Sequence, residues 1–436
     1  MKIDSLINAR WLIPVEPAYS VLEDHSIAID AGKIIDIQPQ ASAADRYQPE
    51  RLYQLDEHVL LPGLINSHTH AAMSLFRGMA DDLPLMDWLN KHIWPAEQRW
   101  VSAEFVEDGS RLAIAEMIRS GTTCFADMYF FADVTAQIAS EAGIRAMVGL
   151  IVIDFPSAWA SNADEYLLKA GQVHHKFRNA PLITTAFSPH SPYAVSETAL
   201  RQLNTTAEEL DIPIMMHIHE TEDEIEQSLA DHGMRPLQRL EAMGMLSPRL
   251  IAIHMTQLEP GEIDTLQHNG VHIVHCPQSN LKLASGFCPV QELHSREVNI
   301  AIGTDGAASN NDLDMLAELQ TTALLAKGVA GNPQAIDAFT ALKMATLNGA
   351  VALGLDDQLG SLLSGKQADI IAVDLSEFET LPLHNPISQL VYASNRSQVS
   401  HSWVAGQCLM QDRKLQTLNE NEIKQIALKW QEKLYG

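Results

Sequence analysis

The sequence predicts an α/β fold: a (β/α)₈ barrel of the TIM type with a small composite β-sandwich domain built from both ends of the chain. Two observations carry this. Between residues 60 and 360, short apolar runs alternate with helical stretches at regular spacing, the pattern of repeated βα units and a parallel sheet. Outside that region both ends read as short strands with turn signals and little helical periodicity.

In chain order, residues 1–59 supply "SLINARWLIP" and "SIAIDAGKIIDIQP", and "HVLLPG" leads into the barrel. Eight apolar runs follow, at 60–66, 122–128, 145–153, 182–188, 213–219, 250–255, 271–276 and 299–304. Eight parallel units close naturally into a barrel. A helix is expected over 102–120, with Ser102 as its N-cap and Gly121 just past its end. Further helices are expected near 196–210, 261–269 and 312–327. From about residue 360 the strand pattern resumes in "LGSLLSGKQADIIAVDL" and "VSHSWVAGQCLMQDRKL". A charged amphipathic helix at 419–433 is expected to pack on the outside. The expected division is 1–59 with 361–436 for the composite domain, and 60–360 for the barrel.

The chain has 436 residues, 46% of them hydrophobic, enough for a large core. Fifty-five acidic against 29 basic residues give a formal charge of −26, which repels phosphate backbones and anionic lipid. Nucleic acid and membrane surfaces are therefore not expected partners. The four cysteines contain no CxxC pair, which fits a reducing compartment and argues against a thiolate metal site. "MKIDSLINARWLIP" lacks the apolar core of a signal peptide, and no apolar run approaches the length of a membrane span. A cytoplasmic protein is expected.

Chemistry in such a barrel collects at the C-terminal ends of the strands. There the sequence places His68 and His70, then His190 in "SPHSPY", His217, His219 and Glu220 in "HIHETEDE", His254 in "IAIHMT", and Asp305 in "IGTDGAASNN". Each alone has a bland reading: a strand histidine is usually packed and hydrogen-bonded, and Asp305 could cap a helix. His-x-His, however, puts two imidazoles on one face of a strand. So many titratable groups at one rim are costly to bury unless a divalent cation organises them. Imidazole and carboxylate ligands without thiolate suit zinc, with iron and manganese as alternatives. The run 182–190 contains no lysine that could form a bridging carbamate, so one metal is expected rather than two.

At this point the sequence resembles the amidohydrolase superfamily, and within it the 5-methylthioadenosine/S-adenosylhomocysteine deaminases. "PGLINSHTHAAMSLFRGMADDLPLMDWL", "HIWPAE", "SPHSPY", "HIHETEDE", "HCPQSNLKLASG" and "GTDGAASNN" carry the resemblance, which extends over essentially the whole chain. It implies a barrel of the amidohydrolase kind and one zinc per subunit, held by His68, His70, His217 and Asp305. It also implies catalytic roles for Glu220, His254 and Asp305, and substrate contacts from Glu97, His190, Glu220 and Asp305. The implied reaction is hydrolytic deamination of the adenine ring of a small purine nucleoside, giving ammonia and an inosine product. In it Asp305 takes a proton from the attacking water, Glu220 protonates the ring nitrogen, and His254 orients the water.

Glu97 has an equal alternative as an ordinary helix-start carboxylate, and the resemblance favours ribose recognition. His219 faces the same way as His217 in the strand pattern and is expected to support or pack rather than to ligate. His272 and His275 read as core residues. Met73, Leu75, Phe76, Met86 and Trp88 line a thioether pocket or pack a lid. Residues 146–177 contain no arginine, only Lys169 and Lys176, both expected on an exposed helix face, and are apolar around Phe155, Pro156 and Trp159. That favours methylthioadenosine over S-adenosylhomocysteine unless a cation elsewhere, such as Arg77, supplies the charge. The alternatives are another aminohydrolase or triazine-type hydrolase of the same superfamily, and a non-catalytic barrel, against which the complete ligand set with Glu220 speaks. A dimer is the default for a barrel of this size.

Overall fold

In the computed structural model, which describes residues 1–435, the chain forms two eight-stranded sheets. Gly436, the end of the expected 361–436 segment, lies outside the described residues. The N-terminal part gives β1 (Lys2–Leu12), β2 (Leu22–Asp30), β3 (Lys33–Pro39) and β4 (Gln48–Pro62). The barrel strands are β5 (Leu64–Thr69), β6 (Thr122–Tyr129), β7 (Arg145–Val152), β8 (Ile183–Pro189), β9 (Ile214–Ile218), β10 (Leu250–His254), β11 (His272–His275) and β12 (Ile300–Ile302). The chain then returns to the first sheet with β13 (Ile370–Asp374), β14 (Val399–Val404), β15 (Gln407–Gln411) and β16 (Lys414–Leu415).

The barrel strands lie in chain order, β5 through β12, and their pairings are parallel. Helices cover the outside, so β5, β6 and β7 are buried along their whole length, as expected of a parallel sheet covered on both faces. The second sheet runs β16-β15-β14-β13-β4-β1-β2-β3 and joins the two ends of the chain through the antiparallel pairing of β13 with β4. Its own apolar cluster includes Ile7, Ile27, Leu60, Ile370 and Trp403.

The expected first barrel run, 60–66, is divided between the sheets. Leu60, Leu61 and Pro62 pair with Ala372, Ile371 and Ile370, and the barrel strand starts only at Leu64. Gly63 is the joint, where a Cβ would fall 2.0 Å from Thr123 Oγ1. An unbroken apolar run hides this boundary from periodicity.

Closure between β12 and β5 bears on the site. Asn66 donates Nδ2–H to Thr304 Oγ1 (2.8 Å) and accepts the Thr304 N–H (3.0 Å), and the Asp305 N–H donates to His68 O (3.0 Å). These bonds seat Asp305 beside His68. Gly303 permits the approach, because a Cβ there would meet His68 N at 2.7 Å. Outside the barrel, Ser102 caps the helix Ala103–Arg119 by accepting the Phe105 N–H at 3.2 Å. The C-terminal helix Glu420–Tyr435 packs on that helix, with Trp430 Nε1 donating to Asp108 at 2.7 Å. All four cysteines are free and buried. Among the described residues no helix is long and apolar enough to cross a membrane.

Candidate active site

Three strand ends use a backbone conformation that L-residues seldom adopt. His219 after β9, His254 at the end of β10 and Asp305 after β12 have φ of 55°, 77° and 63°. Left-handed conformations are costly for residues other than Gly, Asn and Asp, and they concentrate where side chains are aimed for function. Here the turn directs His254 and Asp305 toward the barrel axis.

Around that axis His68 Nε2 lies 3.1 Å from His217 Nε2 and 3.4 Å from Asp305 Oδ1, while His70 Nε2 lies 3.2 Å from Asp305 Oδ1. Two outer ring nitrogens are already engaged. His70 Nδ1 lies 2.5 Å from Met128 O and His217 Nδ1 lies 2.6 Å from His190 O. A carbonyl only accepts, so each Nδ1 carries the proton and each Nε2 turns a lone pair toward the centre. Lone pairs meeting at about 3 Å repel unless a cation lies between them. Ligand bonds of about 2.0–2.1 Å in a tetrahedral site separate neighbouring donors by about 3.3 Å, which matches these spacings. The His68, His70 and Asp305 donors therefore fit a shared zinc-sized cation, with His217 Nε2 beside His68. His68, His70 and Asp305 form one candidate group, and His68, His217 and His254 form another that shares His68.

Asp305 is held on its far side. Ser279 Oγ and Ser309 Oγ donate to its Oδ2 at 2.7 and 3.0 Å, and the Gly306 N–H donates to Oδ1 at 2.7 Å. His254 Nδ1 lies 2.8 Å from Asn280 Oδ1, so its Nε2 is the acceptor facing inward, 3.8 Å from Glu220 Oε2. Burial, together with the charge of nearby Asp305, raises the Glu220 carboxyl above its ordinary value. That is the direction a proton donor needs. Burial also keeps His190 neutral, at about 3.

One cavity of about 320 Å³ opens from this cluster, at the small end for ligand pockets. His70, His190, His217, Glu220, His254 and Asp305 line its floor, and Glu97 lies on its wall. The remaining wall is mostly apolar, including Met73, Met86, Trp88, Trp94, Ile153 and Phe155. Of the residues expected there, Phe76 is instead fully buried beside Phe105, and Trp159 packs against Phe131. No lysine or arginine lines the cavity among the described residues. Arg77 is tied to Glu116, and Lys169 pairs with Glu165 and covers the Trp159 ring.

His219 departs from its expected direction. β9 ends at Ile218, and the left-handed turn at His219 breaks the alternation, so its ring points away from the cluster. Its Nε2 accepts the Leu237 N–H at 3.1 Å, and its Nδ1 lies 3.7 Å from Glu262. The supporting role stands, with the opposite facing. His275 is buried in the core and His272 contacts Asn299. Four site residues were not among those expected from the sequence: Tyr129, whose hydroxyl donates to Glu97 Oε1 at 2.7 Å, Asn280, Ser279 and Ser309. Tyr129 lies one residue past the expected run 122–128, at the C-terminal end of β6. Ser279 and Asn280 lay inside the "HCPQSNLKLASG" stretch.

The pattern of the amidohydrolase family matches residues 59–409. The chain belongs to that family. A 5-methylthioadenosine/S-adenosylhomocysteine deaminase of Teredinibacter turnerae is 49% identical over 432 residues, covering 99% of this amidohydrolase and 98% of the relative. The crystal structure of an adenosine deaminase from Xanthomonas campestris with bound zinc superposes with a TM-score of 0.98 at 50% identity, covering 99% of both chains. An atrazine chlorohydrolase from Arthrobacter aurescens gives a TM-score of 0.92 at 22% identity, over 98% of this chain and 99% of that one, a likeness of fold alone.

Proposed function

We propose that this amidohydrolase is a zinc-dependent deaminase of small purine nucleosides, with 5′-methylthioadenosine as its best substrate. The observation that carries the reading is the placement of Glu220 and His254 beside the His68–His70–His217–Asp305 cluster, at the floor of an apolar cavity with Glu97 on its wall. The names of the similar proteins, a methylthioadenosine/S-adenosylhomocysteine deaminase and a zinc-containing adenosine deaminase, support it.

His68, His70, His217 and Asp305 would hold the metal. Zinc, when bound, supplies a Lewis acid that brings the pKa of water to about 7. Asp305 accepts a proton from the attacking water, while the serine hydroxyls on its Oδ2 keep the carboxylate in one orientation. Glu220, made a better proton donor by burial, protonates the ring nitrogen next to the attacked carbon. His254, its tautomer set by Asn280, presents Nε2 to the water. The new C–O bond forms, the proton held by Asp305 passes to the amino group as the C–N bond breaks and ammonia leaves, the hydroxyl proton returns to Glu220, and the inosine product keeps the proton on its ring nitrogen. Glu97 accepts hydrogen bonds from the ribose hydroxyls, and neutral His190 contacts the purine.

An apolar wall without lysine or arginine suits a methylthio group and leaves the carboxylate of S-adenosylhomocysteine without a cationic partner. A hydrogen bond to a charged group contributes about 1.5–3 kcal/mol. We predict a higher kcat/KM for methylthioadenosine than for S-adenosylhomocysteine, adenosine also being used. Side-by-side kinetics test this. Equal or reversed values would mean that a cation reaches the tail.

A further inference from the structure

Glu97 belongs to the helix Trp94–Trp100, part of the excursion between β5 and the helix Ala103–Arg119, so the barrel does not fix it directly. Its carboxylate has one hydrogen-bond partner among the described residues, the hydroxyl of Tyr129 at 2.7 Å. Tyr129 is the last residue of β6, is 4% exposed, and its backbone stands in register with Leu150 of β7. Its phenol is thus presented from a fixed strand end. The preceding residue, Met128, receives His70 Nδ1 on its carbonyl. Two consecutive residues of one strand therefore contact both His70 and the Glu97 carboxylate.

A carboxylate offers about four lone-pair positions. With one position of Oε1 occupied by the phenol, that oxygen is anchored, and Oε2 has no hydrogen-bond donor among the described residues. A vicinal diol needs such an acceptor, because its two hydroxyls are held at a set spacing. Burial pushes the Glu97 carboxyl up to about 7, and the Tyr129 hydroxyl pulls it back toward the ionised, accepting form.

We propose that Tyr129 is a positioning residue for ribose recognition: its hydroxyl holds Glu97 so that the carboxylate accepts both ribose hydroxyls, and it sets the preference for ribosides over 2′-deoxyribosides. This rests on the reading of Glu97 given above.

The test is the ratio of kcat/KM for adenosine to that for 2′-deoxyadenosine in the zinc-loaded enzyme, in Tyr129→Phe, in Glu97→Ala and in the double variant. A ratio taken within one variant cancels general losses of folded or metal-loaded protein. The wild type should favour adenosine, and Tyr129→Phe should lower the ratio at least ~5-fold, part of what a hydrogen bond to a charged group contributes. The loss should lie in KM rather than kcat, with zinc content unchanged. Glu97→Ala should abolish the preference, and adding Tyr129→Phe to it should change the ratio no further, the non-additivity of two residues acting as one unit. If Glu97→Ala loses the preference while Tyr129→Phe retains it, Tyr129 has no positioning role and the Glu97 reading survives. A preference that survives Glu97→Ala, or is absent from the wild type, overturns both. Equal losses on the two substrates in Tyr129→Phe make Tyr129 merely structural and overturn the proposal.

Discussion

In the proposed mechanism Glu220 is the proton donor that a metal-binding cluster alone would lack. Its carboxylate lies 3.8 Å from His254 Nε2 and belongs to neither of the residue groups that could hold the metal. Glu220→Gln keeps the shape and removes the acid. We predict full zinc content with turnover lowered at least ~10²-fold, the lower end for a lost general acid. Near-normal turnover would remove Glu220 from the mechanism. At this scale the sequence was most legible where chemistry sits on strand ends: His68, His70, His190, His217, His254 and Asp305 all reach the predicted rim. It was least legible where a role exists only after loops fold. Nothing in "DMYF" tells that Tyr129 meets Glu97, 32 positions away, or that Ser309 meets Asp305 alongside Ser279. His219 misled because alternation was carried one residue beyond the strand, into a turn with φ of 55°.

Among the elements, the closure of β12 on β5 matters most for the cluster. Gly303 lets the strands approach, and the Asp305 N–H to His68 O bond follows from that contact. A methyl group at 303 would press on the backbone His68 N at 2.7 Å and on His68 Cβ at 2.9 Å. Overpacking of this kind costs about 1–3 kcal/mol. Gly303→Ala should therefore lower zinc affinity and stability together, read by metal titration and by denaturant unfolding. Wild-type zinc affinity in that variant would mean that closure does not hold the cluster. Strands and helices were largely readable, with Ser102 capping where expected and Ser196 preceding the helix Glu197–Leu210. The joint at Gly63 was not, since "VLLPGLIN" is apolar on both sides of it.

For the whole molecule, the composite sheet and the barrel are fastened by a buried pair. Arg145, the first residue of β7, donates from Nε and Nη2 to both oxygens of Asp369 at 3.1 Å, with side chains 6% and 5% exposed. Asp369 also accepts the Ala405 N–H at 2.8 Å. Removing one partner strands the other charge, at a cost of about 3–5 kcal/mol. Arg145→Met should lower stability by about that much in chemical unfolding while kcat of the remaining folded, zinc-loaded enzyme stays within reach of wild type. A loss below about 1 kcal/mol would mean that water relieves Asp369. No pattern of hydrophobicity pairs residues 145 and 369. The two-part architecture was legible, but this fastening was not.

The central claim, zinc-dependent deamination by this site, is tested most directly by measuring ammonia release from 5′-methylthioadenosine together with the zinc content of the same sample. About one equivalent of zinc per chain is expected, with ammonia and the inosine product in equal amounts, and loss of both zinc and activity on chelation, restored by zinc. Zinc-loaded protein that releases no ammonia from any adenosine derivative, or full activity in protein without metal, would contradict it.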